Sequence, residues 1–135
     1  MVETTGRYLG DLRVLAAHGP SGAEITTDAP VDNEGLGRNF SPTDLMGAAL
    51  GTSILTILGI VARRREIDIR GARYRIEKEM VADPKRRIAK LTTTIWLPAS
   101  LSEDDRRVLE QAAHGCPVHH SLDPRIEAPV EVLYE

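Results

Sequence analysis

Hydrophobic and polar residues alternate along the first part of the chain, as they do in half-buried β-strands. This alternation is interrupted by turn residues at Gly10-Asp11 and again between His18 and Gly22. The strands predicted from it are Arg7 to Leu9, Leu12 to Ala16 and Ala23 to Thr27. Two hairpins therefore begin the chain, and a loop rich in Gly, Asn, Asp and Pro follows from Asp28 to Asn39.

A long apolar helix is predicted next. Ser41 is a good N-cap residue, and Pro42 suits the first helical position. From Leu45 to Ala62 no residue is charged, which satisfies the bare length criterion for a membrane span. Small and polar residues within it and a mean hydropathy of -0.22 for the chain favour a buried helix instead. A helix that is apolar on every side must be covered on every side, which predicts a homodimer with these helices at its centre.

The second half of the chain alternates again, over Arg73 to Met80 and Ile88 to Leu97, with a turn at Asp83-Pro84-Lys85. Ser102 then caps a second helix, whose apolar positions have helical spacing and which ends at Gly115. A last strand is predicted from Ile126 to Leu133. The order of strands, long helix, strands, helix and strand predicts one α+β domain that spans residues 1 to 135.

The composition of the chain excludes some classes of function. The formal net charge is -3, the pI is near 5.8, and no Lys/Arg cluster is interleaved with aromatic residues, so nucleic-acid binding is not expected. A single cysteine excludes an internal disulfide framework and suits a reducing cytoplasm. The N-terminus lacks the basic and apolar regions of a signal peptide. We therefore expect a cytoplasmic protein that binds neither nucleic acid nor a membrane.

Cys116 is the first candidate for chemistry. Gly115 ends one helix and Pro117 can begin another, so the thiol is predicted at a helix N-cap, where peptide N–H groups would stabilise a thiolate. A lone cysteine is equally often a small buried hydrophobe, and the local sequence leaves both interpretations open. His114, His119 and His120 surround the cysteine, and one helical turn could present Cys116 with His119 or His120 to a metal ion, but the paired spacing of a zinc site is missing. No metal and no cofactor are predicted.

Ser53 is a second candidate nucleophile. It follows Gly51 and Thr52 in the apolar helix, but no G-x-S-x-G elbow surrounds it. A serine inside a helix usually bonds to a backbone carbonyl, so serine-hydrolase chemistry is not predicted.

Two motifs in this chain resemble those of the OsmC/Ohr superfamily, the osmotically induced protein C-like and organic hydroperoxide reductase-like proteins. The run from Ser41 to Gly51 resembles the start of their long helix, and Gly115 to Leu122 resembles their second cysteine motif. Both occur in the family's order over nearly the full chain. The resemblance implies antiparallel sheets packed on a long central helix, in an intertwined homodimer.

The resemblance also implies a site. In this family a cysteine on the central helix attacks the O–O bond of an organic hydroperoxide, and a second cysteine resolves the sulfenic acid as a disulfide. Cys116 matches the resolving cysteine, whereas Ser53 occupies the position of the attacking one. A serine hydroxyl is hardly ionised at neutral pH, so Ser53 cannot replace a thiolate. The chain is either a naturally divergent member or carries a replacement that traps the reduced form.

A second departure concerns the residues around the substrate. Thr43 stands where the organic-hydroperoxide branch has a glutamate that orients a catalytic arginine, and Arg38 and Arg13 are the candidates for that arginine. Thr43, Arg38 and His119 are therefore the candidate binding residues beside Cys116 and Ser53. Two functions are expected: one-cysteine chemistry on an organic hydroperoxide with an external thiol reductant, or binding of a small apolar ligand or an assembly role without catalysis.

Overall fold

The computed structural model describes residues 1 to 135, which form two compact units, Met1–Met46 and Gly47–Glu135. Two three-stranded sheets and two main helices confirm the predicted α+β class. The elements in chain order are β1 Thr4–Gly10, β2 Arg13–His18, β3 Glu24–Asp28, a 3-10 turn Val31–Asn33, α1 Pro42–Arg64, β4 Arg73–Val81, β5 Arg87–Leu97, α2 Glu103–Ala113, α3 Pro117–His120 and β6 Val130–Tyr134.

The first unit contains an antiparallel sheet in the order β1-β2-β3. Asp11 and Leu12 both have positive φ, 53° and 61°, and form the two-residue turn that pairs Gly10 with Arg13. This sheet has little core of its own. Tyr8 is 63% exposed and Ile25 is 50% exposed, so apolar side chains of the strands are left uncovered within the chain.

The second unit contains a sheet in the order β4-β5-β6. β4 and β5 form the predicted antiparallel hairpin, but β6 pairs with β5 in parallel, so the expectation of purely antiparallel sheets is wrong. The reason is the crossover through α2 and α3, which returns the chain to the same end of the sheet. The last strand also begins later than the predicted Ile126, since the continuous ladder starts at Val130, after Pro129, which has no N–H to donate.

The start of α1 has the predicted cap. The Ser41 hydroxyl accepts a hydrogen bond from the Asp44 N–H at 3.1 Å, and the Asp44 carboxylate accepts one from the Ser41 N–H at 2.9 Å. Two backbone donors are satisfied by this reciprocal pair. At the other end, Glu66 has a φ of 57°, in the left-handed region, and the Ile67 N–H donates to the Ala62 carbonyl at 3.0 Å.

 This geometry is a Schellman motif, which satisfies the last carbonyls of the helix.

One face of α1 packs on the second sheet. Its buried residues recur at helical spacing and are Gly47, Leu50, Gly51, Ile54, Leu58 and Ala62. A Cβ built on Gly51 would lie 2.5 Å from the Tyr74 ring, so the helix backbone approaches β4 as closely as only glycine permits.

The opposite face of α1 is exposed within the chain, as at Met46 and Ile60. The helix is long and apolar enough to cross a membrane, with a mean hydropathy of 2.0 and 33% of its apolar window buried. A core helix of a soluble protein has the same length and composition, so this is weak evidence for a span.

The packing of α1 can be tested with two matched glycine substitutions. Gly51→Ala should destabilise the protein by about 1–3 kcal/mol, because the new methyl group would overlap the Tyr74 ring. Gly59→Ala should instead stabilise it by up to about 1 kcal/mol, since a Cβ there has no atom within 4 Å and alanine favours the helix. Urea unfolding of both variants measures the difference, and equal effects would contradict this description of the helix face.

Candidate functional site

Cys116 caps the short helix α3, as the sequence predicts. Its backbone is extended, with φ -80° and ψ 146°, and Pro117 occupies the first helical position. The His119 N–H donates to the Cys116 sulfur at 3.3 Å. The thiol therefore satisfies a backbone donor that would otherwise have no partner at the helix start.

The same thiol is fully buried. Cys116 has no solvent exposure and belongs to the apolar core of the second unit, together with Leu109 and Ala113 of α2. A hydroperoxide in solution has no direct access to the sulfur within this chain. Of the two interpretations left open by the sequence, this geometry favours the buried structural thiol.

The histidines near Cys116 do not converge on it. The His119 ring lies with Nε2 3.3 Å from the Ala128 carbonyl oxygen, and its ring is edge-on to that of His120. His114 is exposed after the end of α2. No group of three His, Cys, Asp or Glu side chains is placed to hold a metal ion.

Ser53 lies on α1 between the buried Ile54 and the exposed Thr52, and it is half-buried itself. The helix hydroxyls that donate to backbone carbonyls belong to its neighbours: Thr52 to Ala48 at 2.8 Å and Thr56 to Thr52 at 2.8 Å. Ser53 has no such bond, so the predicted backbone partner of this serine is absent. No hydrogen bond joins Ser53 to Cys116 either, although both belong to the second unit.

Thr43 and Arg38 both lie in the first unit. The Thr43 hydroxyl is 3.3 Å from that of Ser41, so Thr43 belongs to the cap of α1. Arg38 binds Asp28: its Nε donates to the carboxylate at 2.7 Å, and its backbone N–H donates to the same oxygen at 3.0 Å. These bonds lower the pKa of Asp28 below the ordinary value of a carboxyl group.

Asp28 is the residue that sequence reasoning missed. It is completely buried, yet it stands at the start of a polar loop, where an aspartate is expected to face water. One of its oxygens has no hydrogen-bond partner, and neither has the buried Nε of Arg13, the residue opposite Asp28 in the sheet. The only signal in the sequence was the arginine ten residues later, a spacing that no local element explains.

The sequence of the chain matches a known protein family. The sequence profile of the OsmC-like protein family matches residues 34–131. The chain belongs to the OsmC-like family. No curated protein sequence matches the chain significantly.

Solved structures extend the match over the full length. A proposed osmotic stress induced and detoxification response protein of Psychrobacter arcticus 273-4 is 42% identical with a TM-score of 0.91, over 98% of this chain and 96% of that one. The organic hydroperoxide resistance protein OsmC of Legionella pneumophila is 16% identical with a TM-score of 0.75, over 98% and 96%. OhrB of Bacillus subtilis, also an organic hydroperoxide resistance protein, is 17% identical with a TM-score of 0.71, over 98% and 97%. The last two show the shared fold.

These findings confirm the predicted OsmC/Ohr superfamily. The roles of Cys116, Ser53, Thr43, Arg38 and His119 stay predictions, as does the single domain.

The burial of Cys116 has a direct chemical consequence. In the native OsmC-like protein, the thiol should react with Ellman's reagent at least about 100-fold more slowly than after unfolding in urea, because the reagent reaches it only through opening. Absorbance at the thiolate product's wavelength, with free cysteine as the reference, follows the reaction. Stoichiometric labelling of the native protein at the rate of the unfolded one would show that the thiol is accessible.

Proposed function

We propose that this OsmC-like protein serves the cellular response to osmotic stress and organic hydroperoxides in the cytoplasm, without the two-cysteine peroxidase cycle. The observation that carries the proposal is the combination of Ser53 at the attacking position with a fully buried Cys116 as the only thiol. The 42% identical Psychrobacter protein supports the assignment to stress response.

The chemistry explains why the cycle is lost. A cysteine thiolate attacks one peroxide oxygen, the O–O bond breaks, an alcohol leaves, and the sulfur becomes a sulfenic acid. A second thiol then forms a disulfide and releases water, and an external thiol reduces that disulfide. Ser53 cannot begin this sequence, since its hydroxyl is not polarisable and is hardly ionised. At most, Cys116 reacts by itself when the fold opens, and an external thiol restores it.

The surface of the chain supports a homodimer. The first sheet leaves Tyr8, Val14 and Ile25 exposed, and the outer face of α1 leaves Met46 and Ile60 exposed. Apolar residues on a sheet that has little core of its own need a covering surface. A second copy of the chain supplies it in the intertwined arrangement that the family resemblance implies.

The dimer can be measured directly. Sedimentation equilibrium at micromolar concentration should give twice the chain mass of 14.8 kDa. Replacing the exposed Tyr8 and Ile25 by serine should shift the equilibrium towards the single chain, because it removes apolar area from the covered surface. A protein that sediments as a single chain at these concentrations would contradict the proposal.

The second candidate is a protein that binds a small apolar ligand or has an assembly role on the same fold. The buried Cys116 favours it, since the sulfur has a structural use at the start of α3. In this case no redox chemistry is expected at either Cys116 or Ser53.

Restoring the missing nucleophile tests whether Ser53 is what prevents the peroxidase cycle. Ser53→Cys should raise cumene hydroperoxide consumption with a dithiol reductant by roughly 10² to 10⁴ over the unchanged protein, the range over which single catalytic groups act. Ser53→Ala is the matched control and should stay at background. Mass spectrometry should find no added oxygen on Cys116 of the unchanged protein. Rapid hydroperoxide consumption by that protein, with Cys116 oxidised, would overturn the proposal.

A further inference from the structure

A cavity of about 450 Å³ lies beside the C-terminal half of α1. The helix lines it with Leu55, Gly59 and Ala62, and the segment that connects α1 to β4 lines it with Ile67 and Ile69. The isoleucines and Leu55 also pack against the core of the second unit, so the walls are held in place. Its size lies within the range of small-molecule sites, about 300–1,000 Å³.

Gly59 opens this cavity. A Cβ built on Gly59 would meet no atom within 4 Å, whereas the Cβ of Gly51 would collide with the Tyr74 ring. Close packing within the chain therefore requires glycine at position 51 and not at position 59. The glycine at position 59 leaves open space beside the helix, which a larger side chain would reduce.

The charged lining residues leave one cation unpaired. Arg70 and Asp68 bind each other, with Arg70 Nη2 2.6 Å and Nε 2.8 Å from the same carboxylate oxygen. Arg63 lines the cavity one helical turn beyond Gly59, and its guanidinium makes no ion pair or hydrogen bond. The lining thus combines apolar walls with one free guanidinium, whose N–H groups can bind a carboxylate in bidentate fashion.

We infer that this cavity binds an aliphatic monocarboxylate, with the chain against Leu55, Gly59 and Ile67 and the carboxylate on Arg63. A single negative charge matches the single free cation. A phosphate dianion is disfavoured, because Arg70 is already neutralised by Asp68 and no second free cation lines the cavity. The inference does not rest on the proposed stress function, since neither Ser53 nor Cys116 lines this cavity.

Calorimetric titration of the full chain with decanoate, below its aggregation concentration, tests the site. One saturable site per chain is expected. Arg63→Gln should weaken binding by about tenfold or more, the effect of losing a charged hydrogen bond. Arg64→Gln is the matched control, since Arg64 is the exposed arginine that follows in α1 and does not line the cavity; its affinity should be unchanged. 1-Decanol should bind with no dependence on Arg63.

A second variant tests the apolar part. Gly59→Leu places a side chain in the open space beside Gly59 and should abolish decanoate binding, with circular dichroism checking that the fold is kept. Absence of saturable binding, equal weakening by Arg63→Gln and Arg64→Gln, or unchanged binding in a folded Gly59→Leu variant would each overturn the inference. If Gly59→Leu fails to fold, the comparison of Arg63→Gln with Arg64→Gln decides whether the inference holds.

Discussion

The contact between α1 and the β4–β5 hairpin determines how the rest of the second unit is arranged. At Gly51 the helix backbone lies against the Tyr74 ring, and no other residue would allow this approach. Once that point is set, the helical period brings Ile54 and Leu58 into the same buried face. This contact fixes how α1 is rotated about its own axis. The rotation determines the direction of every other side chain on α1, including that of Ser53.

This rotation accounts for the tolerance of a serine at position 53. Ser53 stands at the margin of the buried face, where a hydroxyl can reach water and needs no partner in the core. A fully buried position would make a cysteine-to-serine change costly, because it would leave an unpaired hydroxyl in apolar surroundings. The fold therefore places little constraint on this residue, and its identity can follow the requirements of function alone.

Much of the fold could be predicted because its signals are local. The Ser41–Asp44 cap, the Ser102 cap and the Cys116-Pro117 helix start each depend on residues within three positions of each other. The parallel pairing of β6 could not be predicted in this way. It depends on which strand edge the chain meets after two helices, and no residue near Val130 specifies that.

In the candidate site, too, local features could be predicted from the sequence and long-range ones could not. That Cys116 caps a helix is a local property, but its complete burial results from α2 and the sheet packing around it. The Asp28–Arg38 ion pair joins the start and end of a loop. The hydrophobic and polar pattern of the sequence gives no indication of such a pair.

The second cysteine motif of this family can be kept for packing alone. The Cys116 sulfur accepts a backbone hydrogen bond and fills a position in the core, and both uses are independent of a partner thiol on α1. Alanine would lose the acceptor, and serine would place a smaller, more polar atom in apolar surroundings. Cysteine is thus well suited to this position even in the absence of redox chemistry. Under the proposed correspondence with the family, the two positions therefore carry different information. The motif around Cys116 indicates the fold, whereas the residue at position 53 would decide whether peroxidase chemistry is present.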